Sequence, residues 1–381
     1  MRRDQGNDMK HMDQIRKAAR DPQGYAQAYK ERTGGKVVGT FCSYAPEEII
    51  LAAGALPLRM FSGKNGIHLA DRHLQSYCCS LVRGVLEDAL SGAWKGLDGV
   101  VFPHTCDSIQ RLSDIWRINI PYGFHADVVL PVKLNTNSAR DYLVDVLGAF
   151  RSDLEKKLDV RISDDALRTS MDLSGRLRRA LRRIYEMRAQ HPDTVSGADV
   201  YGIMKASMIM DRQELLALLE EAIMEHGAGK GAEAAGRCKR IVLSGGICDF
   251  PDVYTMIEEE GGAVVWDDLC MGSRAFAGDY AAQEDPIAAI AGRYLERIVC
   301  PAKHNGLTNR ADHLIRMVRE RNACGVIILL MKFCDPHAFD YPYLKNALDR
   351  EGIPNLLLEV EDQLPPEGQL RTRFAAFLEM L

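Results

Sequence analysis

Short apolar runs alternate with amphipathic stretches in two separate parts of the chain. In the first part, KVVGTFC (36–42), ALPLRMF (55–61) and GVVFPHTC (99–106) read as buried strands with their exits. Between them, PEEIILAAGA opens a helix at Pro46, with Glu47 and Glu48 in the first turn where the helix dipole favours acids. A second helix is predicted over about 80–93. In the second part, RIVLSGGIC (240–248), AVVWDDLC (263–270), GVIILLMKFC (325–334) and NLLLEVED (355–362) are strands with their exits. A helix starts at Pro251, others lie near 285–298 and 308–322, and one closes the chain at Leu381. Strand–helix alternation of this kind implies α/β units with parallel sheets.

The pattern between the two parts is different. ARDYLVDVLGAFRSDLEKKL and LSGRLRRALRRIYEMRAQ are amphipathic at helical spacing, and no convincing strand interrupts 138–225. HGAGKGAEAAGR (226–237) reads as a linker or exposed loop. The segment up to about Lys30 reads as helical and exposed. The expected organisation is therefore an N-terminal helical segment (1–30), a first α/β domain (31–137), a helical connector (138–237) and a second α/β domain (238–381). No internal repeat or low-complexity tract is present.

Composition narrows the function classes. Of 381 residues, 46% are hydrophobic and 27% charged, and the formal net charge is −5, the mix of a soluble globular protein. Without a basic tract, nucleic acid is not an expected partner. No apolar run approaches the roughly 20 residues of a membrane span. The polar start MRRDQGNDMKHMDQIRKAARD is no secretory signal, so a cytoplasmic location is expected. In that reducing compartment the ten cysteines are packing residues or ligands rather than a disulfide framework.

The cysteines have a positional bias. Cys42, Cys106, Cys248, Cys270 and Cys334 sit just past predicted strands, and Asp107, Asp249 and Asp335 follow three of them. Ligands of open parallel sheets bind outside the carboxyl ends of the strands. Cys238 and Cys324 precede strands and suit packing, and Cys300 follows a helix. Close C-x2-C pairs, the usual mark of zinc, are absent, and the one near pair is the adjacent Cys78–Cys79. Dispersed thiolates also suit iron–sulfur clusters.

FCSYAPEEIILAAGALPLRM, YCCSLVRGVLEDAL, DGVVFPHTCDSIQRLSDIW, VVWDDLCMGSR and MKFCDPHAFDYPYL, in that order, resemble the 2-hydroxyacyl-CoA dehydratase and benzoyl-CoA reductase superfamily. The resemblance runs from about Thr33 to the C-terminus and is weaker through the helical middle. It implies two flavodoxin-like domains with a cluster between them. It also implies a [4Fe–4S] cluster on cysteines that match Cys79, Cys106 and Cys334, Cys79 being preferred to Cys78 by its place before SLVRGVLEDAL.

Cysteine at Cys42 and Cys270 departs from the dehydratase subunits and resembles the double-cubane cluster proteins. That branch implies an [8Fe–9S] cluster on Cys42, Cys79, Cys106, Cys270, Cys300 and Cys334, with Cys248 unmatched. The expected activity is a reductase that receives low-potential electrons from a separate ATP-hydrolysing iron–sulfur activator and reduces a small substrate, as a homodimer. The absence of a G-x-x-x-x-G-K-[ST] loop fits an ATPase on another chain. One alternative is a single-cubane subunit of a 2-hydroxyacyl-CoA dehydratase or benzoyl-CoA reductase, paired with a dissimilar subunit. Another is a non-enzymatic electron carrier.

Other polar residues carry blander expectations. His104 and His337 flank the cysteines and read as loop histidines, with proton donation near a cluster as the sharper alternative. Ser273 and Arg274 read as a solvated loop, and Glu359 and Glu361 as part of a strand exit near the cleft.

Overall fold

The computed structural model describes residues 9–63, 66–227, 238–281, 285–297, 300–361 and 363–381. Two helices, α1 (Met9–Arg20) and α2 (Pro22–Thr33), lead into a first parallel sheet. Its strands are β1 (Lys36–Thr40), β2 (Ala55–Arg59), β3 (Gly99–Pro103) and β4 (Phe124–Val128), connected through α3 (Glu47–Ala52), α4 (Ser80–Leu90) and α5 (Asp107–Asn119). Helices α6 (Asn137–Leu158), α7 (Asp164–Gln190), α8 (Gly197–Ala206) and α9 (Arg212–Gly227) follow. The second sheet contains β5 (Lys239–Gly245), β6 (Gly262–Asp268), β7 (Gly325–Met331) and β8 (Asn355–Val360). Around it run α10 (Pro251–Glu259), α11 (Ser273–Phe276), α12 (Pro286–Glu296), α13 (Asn309–Glu320), α14 (Asp335–Arg350) and α15 (Glu367–Glu379).

The sheets repeat one topology. Their orders are β2-β1-β3-β4 and β6-β5-β7-β8, and every pairing is parallel. This is the α/β, flavodoxin-like architecture that the sequence led us to expect. In each sheet the order reverses between adjacent strands, β1 and β3 in the first and β5 and β7 in the second. Connections there leave toward opposite faces and open a crevice at the carboxyl end.

The strands form because both faces are covered. β2 and β3 are buried throughout, and β7 is buried except at Met331. One face of the first sheet (Val38, Val101, Val128) packs with α3, α6 and α12 through Ile49, Leu147 and Ile290. Its other face (Leu56, Phe102) joins a core that continues through α7 and α8 into the second sheet.

The N-terminal helices differ from the exposed segment expected. Ile15 is fully buried, and Ala18 and Ala26 join the main core. The chain beyond Gly227 in the glycine-rich stretch lies outside the described residues, as does Asp362 of the last strand exit. Among the described residues, no helix is long and apolar enough to cross a membrane.

Candidate functional site

Strand exits and helix starts place the cysteines. β1 and β3 are neighbours, with Thr40 opposite Val101, so Cys42 and Cys106 leave the sheet side by side. The Cys42 carbonyl accepts from Ala45 N at 2.9 Å, a turn that precedes α3. Cys79, Cys106 and Cys334 are the residues immediately before α4, α5 and α14. Phe333 adopts φ 62°, a left-handed position that swings the chain out of β7 and into the helix beginning at Asp335. Cys270 N donates to the Gly246 carbonyl at 2.8 Å, joining the exits of β6 and β5. Cys300 lies beyond α12, its N–H 3.5 Å from the Tyr44 hydroxyl.

Cys42, Cys79, Cys106, Cys270, Cys300 and Cys334 all line one cavity of about 100 Å³. Phe41, Val82, Ile109 and Met331 supply apolar wall, and no aspartate or glutamate lines it among the described residues. A larger cavity of about 380 Å³ adjoins it, sharing Thr105, Cys106, Ala302 and Pro336 and adding the charged Lys303, Arg310 and Asp340. Cys78 is buried but not on the cysteine cavity's wall, and Cys248 is fully buried in the core, its thiol 3.8 Å from the Phe250 carbonyl. Among the described residues, no three histidine, cysteine, aspartate or glutamate groups gather tightly enough to hold one metal ion.

Burial dominates the electrostatics of the thiols. It pushes Cys79 up to about 11 and Cys106 up to about 12, and it raises Cys300 and Cys334. Backbone N–H groups act the other way: Val82 and Leu81 on Cys79, Ile109 on Cys106, and His337 on Cys334. These are first-turn amides, so three helix N-termini turn partial positive charge toward sulfur.

Cations surround the same wall. The Arg59 guanidinium lies on it, with Nη2 3.4 Å from Cys270 Sγ. Lys303 is 5% exposed and donates to the His104 and Leu130 carbonyls at 3.3 Å each. Burial lowers the Lys303 pKa, and Cys42, Cys300 and Cys106 oppose that shift.

Several polar residues stand elsewhere than the sequence suggested. Ser273 and Arg274 do not form a solvated loop: they are 3% and 2% exposed. Ser273 is held by Asp267, donating from its N–H to Oδ1 at 2.8 Å and from its hydroxyl to the backbone carbonyl at 2.5 Å, and Asp268 ion-pairs with Arg274 at 3.4 Å and Arg310 at 2.8 Å, so that compensated charges are buried. Glu48 lies in the first turn of α3 as expected and is fully buried there, with Arg293, Arg178 and Tyr280 compensating it. Glu47 pairs with Arg212 at 3.0 Å.

His337 lies on the cysteine wall, with Nδ1 3.2 Å from Cys334 Sγ and Nε2 3.4 Å from an Arg274 Nη. Burial and the Arg274 and Arg310 charges hold the His337 pKa well below its ordinary value. His104 does keep a local partner, Asp127 Oδ1 at 2.8 Å. Glu361 pairs with Lys332 at 2.7 Å, and neither it nor Glu359 lines the cavity. Sequence reasoning missed Arg59, which reaches Cys270 from a distant segment, and Lys303, which stands three residues after Cys300 but reads as an ordinary loop lysine. A lone cation beside a strand end carries no local signal.

A family model described as 2-hydroxyglutaryl-CoA dehydratase, D-component, matches residues 42–381. The chain is 26% identical over 375 residues to the (R)-phenyllactyl-CoA dehydratase beta subunit of Clostridium sporogenes, covering 98% of this chain and 100% of that one. It is 26% identical to the beta subunit of (R)-2-hydroxyglutaryl-CoA dehydratase from Acidaminococcus fermentans, covering 97% and 98%. To a benzoyl-CoA reductase subunit of Thauera aromatica it is 28% identical, covering 91% of each.

Proposed function

Because the chain belongs to the family described as 2-hydroxyglutaryl-CoA dehydratase, D-component, we propose that it is the iron–sulfur component of an ATP-dependent, low-potential reductase. In this reading Cys42, Cys79, Cys106, Cys270, Cys300 and Cys334 hold an [8Fe–9S] double cubane, a separate ATP-hydrolysing activator supplies electrons, and a small substrate is reduced. Membership makes the chain an enzyme subunit of the dehydratase and reductase class. The cluster type, the activator and the substrate are the proposal.

The observation that carries it is the meeting of six cysteines from six segments on one wall. A single cubane has about four irons and cannot use more thiolates than that. The wall fits an iron–sulfur group: soft sulfur donors, no carboxylate among the described residues, and Arg59 and helix N-termini facing it. The thiols also perturb one another across the whole wall: Cys79, Cys106 and Cys300 act on Cys334, Cys79, Cys42 and Cys300 on Cys106, and Cys42 and Cys270 on Cys300. Two cubanes that share a bridging sulfide need three thiolates each, six in all.

When bound, such a cluster supplies single electrons at low potential. The chain's residues do the rest. The first-turn amides of α4, α5 and α14 favour the thiolate forms, and the apolar wall restricts water. His337 stands 3.2 Å from Cys334 Sγ, and the adjoining cavity, with Lys303 and Arg310, offers space for a small polar substrate. All six thiolates come from this chain, so a homodimer suffices.

A second reading, a single [4Fe–4S] on Cys79, Cys106 and Cys334, draws support from the relatives. They are named as subunits, two of them beta, which favours a dissimilar partner chain and a CoA thioester substrate. The test is iron and acid-labile sulfide per chain on protein purified without oxygen, with EPR of the reduced form. About eight irons support the double cubane, about four the single one, and none after anaerobic reconstitution removes both. Turnover with an activator separates an enzyme from a carrier.

A further inference from the structure

Arg59 ends β2 and faces the cysteine wall, and the proposed reaction assigns it no step of its own. Its side chain is 4% exposed. Nη2 stands 3.4 Å from Cys270 Sγ, and Nη1 stands 3.4 Å from both the Cys270 carbonyl oxygen and Met208 Sδ. The Phe61 ring centroid is 5.7 Å from the guanidinium carbon, and Nε is buried with no hydrogen-bond partner. Among the described residues, no carboxylate lies within ion-pair distance of Arg59. Glu47, which shares a small neighbouring cavity of about 50 Å³, is engaged by Arg212 at 3.0 Å.

A guanidinium does not lose its proton in a protein, so it stays charged here. A buried charge without a counter-charge is strongly destabilising. Three other buried arginines nearby have an acid to face: Arg274 and Arg310 share Asp268, and Arg293 has Glu48. Arg297 instead lies over the Tyr44 and Tyr294 rings, away from any thiol contact among the described residues. Arg59 has sulfur.

We infer that Arg59 is a positioning residue whose buried guanidinium is the counter-charge for an anionic iron–sulfur group at the Cys270 end of the cavity and raises its reduction potential. The inference rests on the cluster reading above. When one electron passes from an external one-electron donor, a reduced viologen dye in the test, the dye is oxidised and the cluster gains one negative charge. No bond forms or breaks. Charge and N–H···S donation from Arg59 favour that reduced state, as hydrogen bonds to cluster sulfur do generally.

The experiment is an EPR-monitored redox titration of the anaerobic holoprotein, with viologen mediators, on wild type, Arg59→Gln and Arg59→Lys. Iron per chain and thermal unfolding of each apo form are measured in parallel. Arg59→Gln is expected to lower the reduced-to-oxidised ratio at fixed potential about tenfold, equivalent to about 59 mV for a one-electron couple. Arg59→Lys keeps the charge and is expected to recover most of that shift. Equal iron with an unchanged potential in Arg59→Gln overturns the inference.

If Arg59→Gln takes up no iron, its apo form decides. Apo unfolding at or above the wild-type temperature supports an uncompensated charge waiting for the cluster. Apo unfolding below it makes Arg59 a structural residue and overturns the inference. Absence of iron in the wild type is a different failure, that of the cluster reading itself.

Discussion

At Gly245 the chain leaves β5 with φ 150°, and a Cβ built there meets the Leu329 carbonyl oxygen of β7 at 2.2 Å. That neighbour is backbone in a paired strand, so it cannot move aside. Gly246 is different: its Cβ meets the His337 ring at 3.2 Å, and a ring can shift by a few tenths of an ångström. Gly245→Ala is therefore expected to lose more than about 2 kcal/mol in urea unfolding, and Gly246→Ala less than about 1 kcal/mol. Equal losses would show that the two strands tolerate spreading at this exit.

Asp267, a few residues before Cys270, carries a pH dependence. Burial raises its pKa to about 6, against the Tyr185 hydroxyl at 2.5 Å and the Ser273 and Leu269 amides at 2.8 and 3.1 Å, which lower it. The folded protein thus binds a proton that the unfolded chain releases near 3.8. The acid's share of stability is complete below the unfolded value and is lost as pH rises through about 6, on the order of 3 kcal/mol in all. Asp267→Asn keeps the amide contacts and should flatten the unfolding free energy between those two pH values. A slope equal to wild type would assign it to other groups.

At the scale of elements, the short helix α3 is tied down by one acid. Glu48 accepts from the Tyr280 and Tyr294 hydroxyls at 2.7 and 3.1 Å and faces Arg293 on α12 at 3.3 Å and Arg178 on α7 at 3.7 Å. Burial opposes its charge, the two arginines win, and its pKa is lowered. Glu48→Gln leaves two buried cations uncompensated, so thermal and urea unfolding should show a loss of about 3–5 kcal/mol. This knot was illegible in the sequence, where Glu48 sits in a first turn and its partners lie in two distant helices.

The strands were far easier to read. Those rich in β-branched and other apolar residues, such as GVIILLM, stood out because both their faces are covered. β4 did not: FHADV alternates partly exposed and buried positions and carries His125 and Asp127, so its pattern is that of an edge strand in a loop-like sequence. Arg274 is hidden in the sequence for the same reason as Glu48, since Asp268, the acid that buries it, also pairs through the fold with Arg310, and Ser273 is fixed by Asp267.

In the whole molecule, two sheets of identical strand order turn their carboxyl ends to one cavity, and the proposed ligands come from both. Position after a strand pointed to Cys42, Cys106, Cys270 and Cys334 on this wall but also to Cys248, which is buried away from it, while Cys79 and Cys300 came only with the family resemblance. Arg59 could not be read, because only folding brings it to Cys270, and Lys303, though three residues after Cys300, carries no signal of its burial. The neutral state of the free thiols has a consequence for the whole assembly. With burial raising Cys79 to about 11 and Cys106 to about 12, both favour the protonated form across the neutral range, and iron bound as proposed would have to displace those protons. Acid therefore favours the metal-free form. A strong iron chelator should strip the anaerobic holoprotein at least about tenfold faster near pH 6 than near pH 8, since each released thiolate takes up a proton. Loss of iron should also lower the temperature of unfolding, because the thiolates of the two sheets are then no longer joined through one group. A stripping rate independent of pH would mean that the helix N-termini and cations already hold these sulfurs as thiolates before iron arrives, and that the wall is organised for the cluster in advance.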